Sequence, residues 1–246
     1  QARATQLAVM LCSTDTYNQQ PFNGTAGTNT TRAGDNWGRG NYAANAALGF
    51  MSACSGGSAA GCAAFEDSPG WNSAAHRGVM GANSSVTIAQ IIDGTSSTIL
   101  LAEIRAGISE YDTRGVWAMS GGCSSSLWAH GGIYGDDFGP NCAFYAADDM
   151  PNCSQLRRAL GDSTFNQTNG NFLAKSGMPC SGVDGSGWQQ TARSLHPDGV
   201  LVTMADGSVQ WISDYIDVKP SSPYNLSVWD RLNTSADEQV IPSKAF

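Results

Sequence analysis

The chain has 246 residues, of which 14% are charged, and its formal net charge is −8 with an isoelectric point near 4.6. An acidic chain without a Lys/Arg cluster cannot neutralise phosphates, which argues against nucleic acid and anionic membrane surfaces as partners. No stretch approaches the roughly 20 consecutive apolar residues that cross a bilayer. The length fits one elaborated domain, residues 1–246, and the many Gly, Ser, Thr and Asn residues favour short strands and loops.

The first predicted elements are short and separated by polar loops. The apolar run at residues 6–13, "QLAVMLCS", has the length of a buried strand. Residues 17–40 are rich in Asn, Thr and Gly and predict a surface loop. "NYAANAALGF", residues 41–50, predicts one or two helical turns, and a Gly/Ser-rich loop follows it.

The middle of the chain carries the most regular pattern. In residues 84–104, Thr87 can cap a short helix that buries Ile88 with Ile91 or Ile92 and ends at the following Asp-Gly pair. "STILLAEI", residues 97–104, then predicts a central strand. "RGVWAMS", residues 114–120, predicts another short strand, and residues 154–160 predict a helix capped by Ser154.

Near the C-terminus, "HPDGVLVTMADGSVQWI" predicts a hairpin. If Asp206 and Gly207 form a two-residue type I′ turn, Met204 pairs with Val209 and Val202 pairs with Trp211. Those four side chains would then share the buried face. A second turn precedes the first strand, so the motif residues of this structural hairpin are His196, Asp198, Gly199, Asp206 and Gly207.

His196 and Asp206 could instead suggest a catalytic or metal-binding pair. A strand between them would separate their positions by roughly 15 to 20 Å, which prevents a dyad or a shared metal. We therefore expect His196 to anchor its turn. The predicted fold class is α+β, mostly antiparallel β, with long loops and few short helices.

The seven cysteines include no Cys-x-x-Cys pair, so zinc-ribbon and thioredoxin-like sites are not indicated. Disulfides in an oxidising compartment fit better, and an extracellular or cell-surface location is expected. The first two pairings suggested by the intervening loops are Cys54 with Cys62 and Cys142 with Cys153.

Two acidic pairs lie close together in loops that also contain cysteines: Asp136 with Asp137, and Asp148 with Asp149. Hard oxygen ligands on loops suit calcium, which is the one cofactor that the sequence suggests. A solvated acidic surface is the alternative interpretation.

Asn-x-Ser/Thr sequons suit a secreted surface, although a chain rich in Asn, Ser and Thr also produces them by chance. The glycosylation candidates are Asn23, Asn29, Asn83, Asn152, Asn166, Asn225 and Asn233. Tryptophans in loop-like contexts could stack on sugars or belong to the core. No Gly-x-Ser-x-Gly, His-Glu-x-x-His or phosphate-binding loop occurs, so no catalytic residue is predicted and a secreted hydrolase is the weakest hypothesis.

Several segments resemble, in order, a large family of bacterial pilin-like proteins with a prepilin-type signal and a C-terminal domain of unknown function. The pattern His, nine residues, Asp-Gly is met by His196 and Asp206-Gly207. "VMLCSTD", "NYAANAAL", the stretch ending "DGTSSTIL", "DDFGPN" and the C-terminal "VWDRLNTSADEQVIPSKAF" resemble further family segments.

The resemblance implies a pilin-like head in which an antiparallel sheet packs on the C-terminal half of a long N-terminal helix. That helix, which is missing from this chain, would be its only contact with a membrane. Partners would be copies of itself or related pilin-like subunits. The resemblance also implies a cysteine on that helix that could bond Cys12. The leading hypothesis is a non-enzymatic subunit of a surface filament, and the alternative is an extracellular module that binds carbohydrate or calcium.

Overall fold

The computed structural model describes residues 2–24, 34–48, 73–81, 84–119, 124–128, 138–150, 152–161, 172–181, 189–219 and 226–242. The strands are β1 (Tyr42–Ala47), β2 (Ile99–Glu103), β3 (Ser126–Trp128), β4 (Gly199–Met204) and β5 (Val209–Ser213). They form one five-stranded sheet in the order β3-β1-β2-β4-β5. Only the β1–β3 pair is parallel among these strands, so the predicted α+β, mostly antiparallel class is confirmed.

The helices are short. They are α1 (Cys153–Ala159), α2 (Phe172–Lys175) and α3 (Val228–Asn233), with single 3-10 turns at Ala2–Ala4, Ala8–Met10, Thr16–Gln19, Ile88–Gln90 and Tyr145–Ala147. Within the described ranges, none has the length and apolar character needed to span a bilayer. The helix predicted at residues 154–160 is α1, although its N-cap is Asn152 rather than Ser154.

The prediction for residues 84–104 holds in outline. Thr87 and Gln90 form a capping box, but the helix is a single 3-10 turn, Ile88–Gln90. Ile91, which follows the turn, is buried, whereas Ile88 is 78% exposed, so the predicted burial of Ile88 is wrong. A glycine in the left-handed region, Gly94, follows it. The strand predicted next is β2, which lies at the centre of the sheet between β1 and β4.

Three local predictions are wrong. Residues 6–13 form a 3-10 turn with Val9 86% exposed rather than a buried strand, because the backbone bonds there are local, as from Met10 N to Leu7 O. Residues 42–47 form β1 rather than helical turns, since their small side chains fit between two strands and the buried Asn45 amide donates to Ile99 O. Of the strand predicted at residues 114–120, the described part, residues 114–119, contains only an isolated bridge, Arg39 to Val116.

The C-terminal hairpin exists, but its register is one residue off the prediction. Val202 pairs with Gln210 and Leu201 with Trp211, and the loop has three residues, 205–207. Gly207 alone of the loop is left-handed, at φ +86°. A type I turn followed by a left-handed glycine explains this geometry, because a type I′ turn would need positive φ at Asp206 as well.

The shifted register separates the sheet into an inner and an outer face. On the inner face, Ala43, Ala102 and Val202 pack in a buried cluster with Trp229 and Leu232 of α3. Alternation places the opposite side chains on the other face, which we call the outer face. Its members are Tyr42, Ala44, Leu101, Glu103, Leu201, Thr203, Val209 and Trp211.

Candidate functional site

Three side chains from distant parts of the chain converge at one end of the outer face. Cys12, Glu103 and His196 each offer one ligand atom, and these atoms lie within 4.8 Å of one another. His196 Nε2 is 3.4 Å from Glu103 Oε1 and 3.7 Å from Cys12 Sγ. In the described residues, no other group of three His, Cys, Asp or Glu side chains converges in this way.

Cys12 is held through its backbone. Its N–H donates to Asn41 Oδ1 at 2.9 Å, and its carbonyl accepts from Asn18 Nδ2 at 2.7 Å. Asn18 is in turn bonded to Asn41 and is buried. The Sγ atom, half-buried and outside any disulfide, is therefore directed by a fixed loop rather than by a helix or strand.

Glu103 ends β2 and is 2% exposed. Its Oε2 accepts the N–H of Leu201 at 2.7 Å, next to the last ladder pair between β2 and β4. The remaining oxygen, Oε1, is the one that faces His196. Burial raises the pKa of Tyr42, and the nearby Glu103 and Cys12 raise it further, because all three effects disfavour the negatively charged phenolate.

His196 lies in the turn before β4, as the sequence predicted. Its backbone N–H donates to Ser194 Oγ, and that hydroxyl donates in turn to Gly199 O. Asp198 adopts φ +63° at the reversal. The imidazole meets the Trp211 ring edge-on with centroids 6.1 Å apart.

The "GPN" segment supports the same turn. Asn141 donates from Nδ2 to Asp214 Oδ1 at 2.9 Å, and its Oδ1 accepts from the N–H of Ser194 at 2.8 Å. One amide thus joins this loop to the segment before β4 and to the residue after β5, at the open end of the hairpin. His196 precedes β4 and Asp206 follows it, so the two residues lie beyond opposite ends of the strand. Asp206 does not belong to the cluster of Cys12, Glu103 and His196.

The arrangement around His196 is not a nucleophile, base and orienting-acid relay. A relay needs the thiol at one imidazole nitrogen and the carboxylate at the other. Here both approach Nε2. Three ligand atoms that converge on one point are instead the geometry of a metal site. A cavity of about 10 Å³ adjoins Cys12 and Glu103.

Sequence reasoning missed two of these three residues. Cys12 and His196 are 184 positions apart, so no local spacing signals them. The sequence suggests a disulfide for Cys12 and a place in a predicted strand for Glu103, and neither expectation indicates a ligand. A buried Glu in an apolar strand was the available signal, because a buried carboxylate requires a partner.

A second polar centre is fully buried. Asp148 Oδ2 accepts from Arg114 Nη1 at 2.7 Å and from Arg193 Nε at 2.9 Å, while Asp112 holds the other side of Arg114. Burial alone would raise the pKa of Asp148, but Arg193 and Arg114 outweigh it and hold that pKa below the usual range. Burial lowers the pKa of Arg114, but the carboxylates of Asp112 and Asp148 raise it by more, so the net change is an increase.

This centre corrects the calcium prediction at Asp148. Both carboxylate oxygens are used by arginines and by the N–H of Thr191, so none is directed to a loop cation. The neighbouring Asp149 bridges through its backbone to Gln189 and Ser181. Asp136 and Asp137 lie outside the described residues, and calcium binding there stays a prediction.

The predicted disulfide between Cys142 and Cys153 is wrong. Cys153 bonds Cys180, and Cys142 is a free, half-buried thiol. The bond lies in a buried cluster with Met150, Leu156 and Met178, so packing around α1 selects the partner. The other proposed pair, Cys54 with Cys62, lies outside the described residues.

Two of the sequons are unsuitable for glycans. Asn152 and Asn233 are buried, and their amides donate to Tyr111 O at 2.7 Å and Trp229 O at 2.8 Å. Asn23 is half-buried and donates to Glu110. The remaining candidates, Asn29, Asn83, Asn166 and Asn225, lie outside the described residues.

Comparison with known proteins identifies a family. The family model described as "Protein of unknown function (DUF1559)" matches residues 1–219. No curated protein and no solved structure matches the chain.

Proposed function

Because the chain belongs to the DUF1559 family of proteins of unknown function, we propose a role from its own geometry: it is the globular head of a pilin-like, extracellular structural subunit. In this proposal it is not an enzyme, and its partners are copies of itself or related subunits. The observation that carries the proposal is the apolar, partly exposed outer face of the sheet.

The outer face has the chemistry of a packing surface. Leu101 and Leu201 are half-buried on adjacent strands, Trp211 is 42% exposed and Val209 is 61% exposed. A sheet with both faces apolar normally buries each against another layer, and the inner face already has α3. A cluster of exposed apolar side chains is typical of an interaction surface.

The occupant in this proposal is the amphipathic helix that the pilin-like resemblance implies. Cys12 lies at one end of the outer face beside Glu103, so the N-terminal segment reaches this face at that residue. In this proposal the helix packs over Leu201 and Trp211. The buried Cys153–Cys180 disulfide suits an exported protein.

The test is assembly of the complete gene product in its native source. Trp211→Lys places a charge on the outer face and is expected to abolish filaments in electron micrographs, whereas Val240→Lys, on a residue 82% exposed elsewhere, should not. Unchanged filaments in Trp211→Lys, or a strictly monomeric wild-type protein with its full N-terminus, would contradict the proposal.

An extracellular ligand-binding module is the second candidate. It is favoured by a cleft of about 540 Å³ between Ile92, Asp93 and Ser97 and the C-terminal residues Glu238 to Ile241. Small-molecule sites have volumes of this order. A glycan array together with a calorimetric calcium titration tests it, and binding in neither would leave the structural role. No observation in the described residues favours the secreted hydrolase.

A further inference from the structure

We propose that Cys12, Glu103 and His196 bind one zinc ion on the outer face of the sheet. The three donors are a thiolate, a carboxylate and an imidazole. Zinc accepts each of these ligands and commonly takes three protein ligands with a fourth position left to solvent. Oxygen-only cations such as calcium would not select a sulfur ligand.

The distances fit a tetrahedral ion. With zinc–ligand bonds of about 2.0 to 2.3 Å, tetrahedral geometry separates nitrogen from oxygen by about 3.4 Å and sulfur from nitrogen by about 3.6 Å. The corresponding separations at His196 Nε2 are 3.4 Å to Glu103 Oε1 and 3.7 Å to Cys12 Sγ. Two of the three separations therefore already match those around a bound ion, and the third, from Cys12 Sγ to Glu103 Oε1, lies within 4.8 Å.

Each ligand already has an orienting partner. Leu201 N–H occupies Glu103 Oε2 and leaves Oε1 for the ion. Asn41 fixes the backbone of Cys12, and Ser194 fixes that of His196. Such outer contacts align ligands before the metal arrives and reduce the cost of binding.

The site is accessible and close to charge balance. His196 is 27% exposed, so an ion can enter from solvent, and water can take the fourth position. Thiolate and carboxylate together neutralise Zn²⁺. Arg193 lies nearby, but its charge is already paired with Asp148. Zinc binding would release the Cys12 thiol proton to the buffer.

The experiment uses the metal-free protein with its Cys153–Cys180 bond intact, titrated with Co²⁺ and then with Zn²⁺. Cobalt at one equivalent is expected to give a thiolate charge-transfer band that zinc abolishes. Cys12→Ser should remove the band and weaken zinc binding by about 100-fold or more. The matched control, Cys142→Ser, changes the other thiol that is free within the described residues and should keep the cobalt band and the zinc affinity.

Two further measurements test the zinc site even if Cys12→Ser does not fold. Glu103→Gln keeps the acceptor for Leu201 N–H but lowers zinc affinity, with circular dichroism to check the fold. In the wild type, zinc should protect Cys12 from alkylation, read by peptide mass spectrometry. Absence of that protection, loss of the band in Cys142→Ser, or a natural protein with Cys12 in a disulfide would overturn the proposal; a simple Glu–His ion pair would then remain.

Discussion

Arg114 Nη1 donates to Asp148 Oδ2 across 2.7 Å, and each side chain is exposed by 1% or less. Asp112 and Arg193 complete the group, so two arginines and two aspartates balance inside the protein. Removal of one member of such a buried group leaves an uncompensated charge, which costs far more than an exposed ion pair contributes.

Asp148→Asn is therefore expected to lower the free energy of unfolding by about 3 to 5 kcal/mol, measured by urea denaturation. Asp198→Asn is the matched control, since Asp198 is exposed in a left-handed turn that Asn also accepts, and it should stay within about 0.5 kcal/mol of wild type. Equal stability of the two variants would contradict a structural role for the Asp148 charge.

The same carboxylate predicts an acid-sensitive step. Burial alone would raise the pKa of Asp148 in the folded protein, but Arg193 and Arg114 outweigh it and lower that pKa. An unfolded Asp has a pKa of about 3.9. Its stabilisation is thus complete above about pH 4 and is lost as the pH falls through the lower folded value. The difference in urea midpoint between wild type and Asp148→Asn should narrow below about pH 4; a constant difference would refute this.

The Cys153–Cys180 bond predicts a large loss on removal. It closes a loop with a sequence separation of 27, for which the chain-entropy relation gives about 3.5 kcal/mol. The double variant Cys153→Ala/Cys180→Ala should lose about that much, and Cys142→Ala, a single free thiol, much less. Peptide mapping of the unreduced protein checks the pairing directly; recovery of a Cys142–Cys153 peptide would contradict it.

Substitutions at two glycines of the hairpin compare the cost of backbone strain with the cost of a steric clash. At Gly207, φ is +86° and an added Cβ meets nothing within 4 Å, so Gly207→Ala should cost about 1 kcal/mol from conformation alone. At Gly199, an added Cβ would collide with Ile212 O and lie 2.6 Å from the Trp211 ring. Gly199→Ala should cost clearly more in thermal denaturation; the reverse order would mean that the hairpin register is wrong.

The hairpin also shows how far sequence alone can predict this fold. Alternation and the Asp-Gly pair correctly predict two antiparallel strands, because those signals are local. The same dipeptide, however, fits both a two-residue loop and the last two positions of a three-residue loop. The choice comes from tertiary bonds, since Ala205 N–H donates to Thr98 O and Asp206 N–H to Thr95 O.

The candidate site could be predicted only in part. The turn at His196 follows from Pro197 and the Asp-Gly pair beside it, and the strand that carries Glu103 follows from its apolar run. Their meeting with Cys12 depends on a loop fixed by Asn18 and Asn41, whose buried amide network has no sequence pattern. Likewise, the role of Asp148 depends on Arg114 and Arg193, which approach from separate segments.

The strand order has a consequence for the time course of folding. Among the described strands, β4 and β5 are the one pair of sheet neighbours that a short loop connects. Their hairpin can form within microseconds, whereas β2 must find β4 across about a hundred residues and β1 must find β2 across more than fifty, at a large loop-closure cost. On a ribosome, the central strand β2 therefore emerges long before its partner β4, and the sheet closes only after the last hairpin has been synthesised.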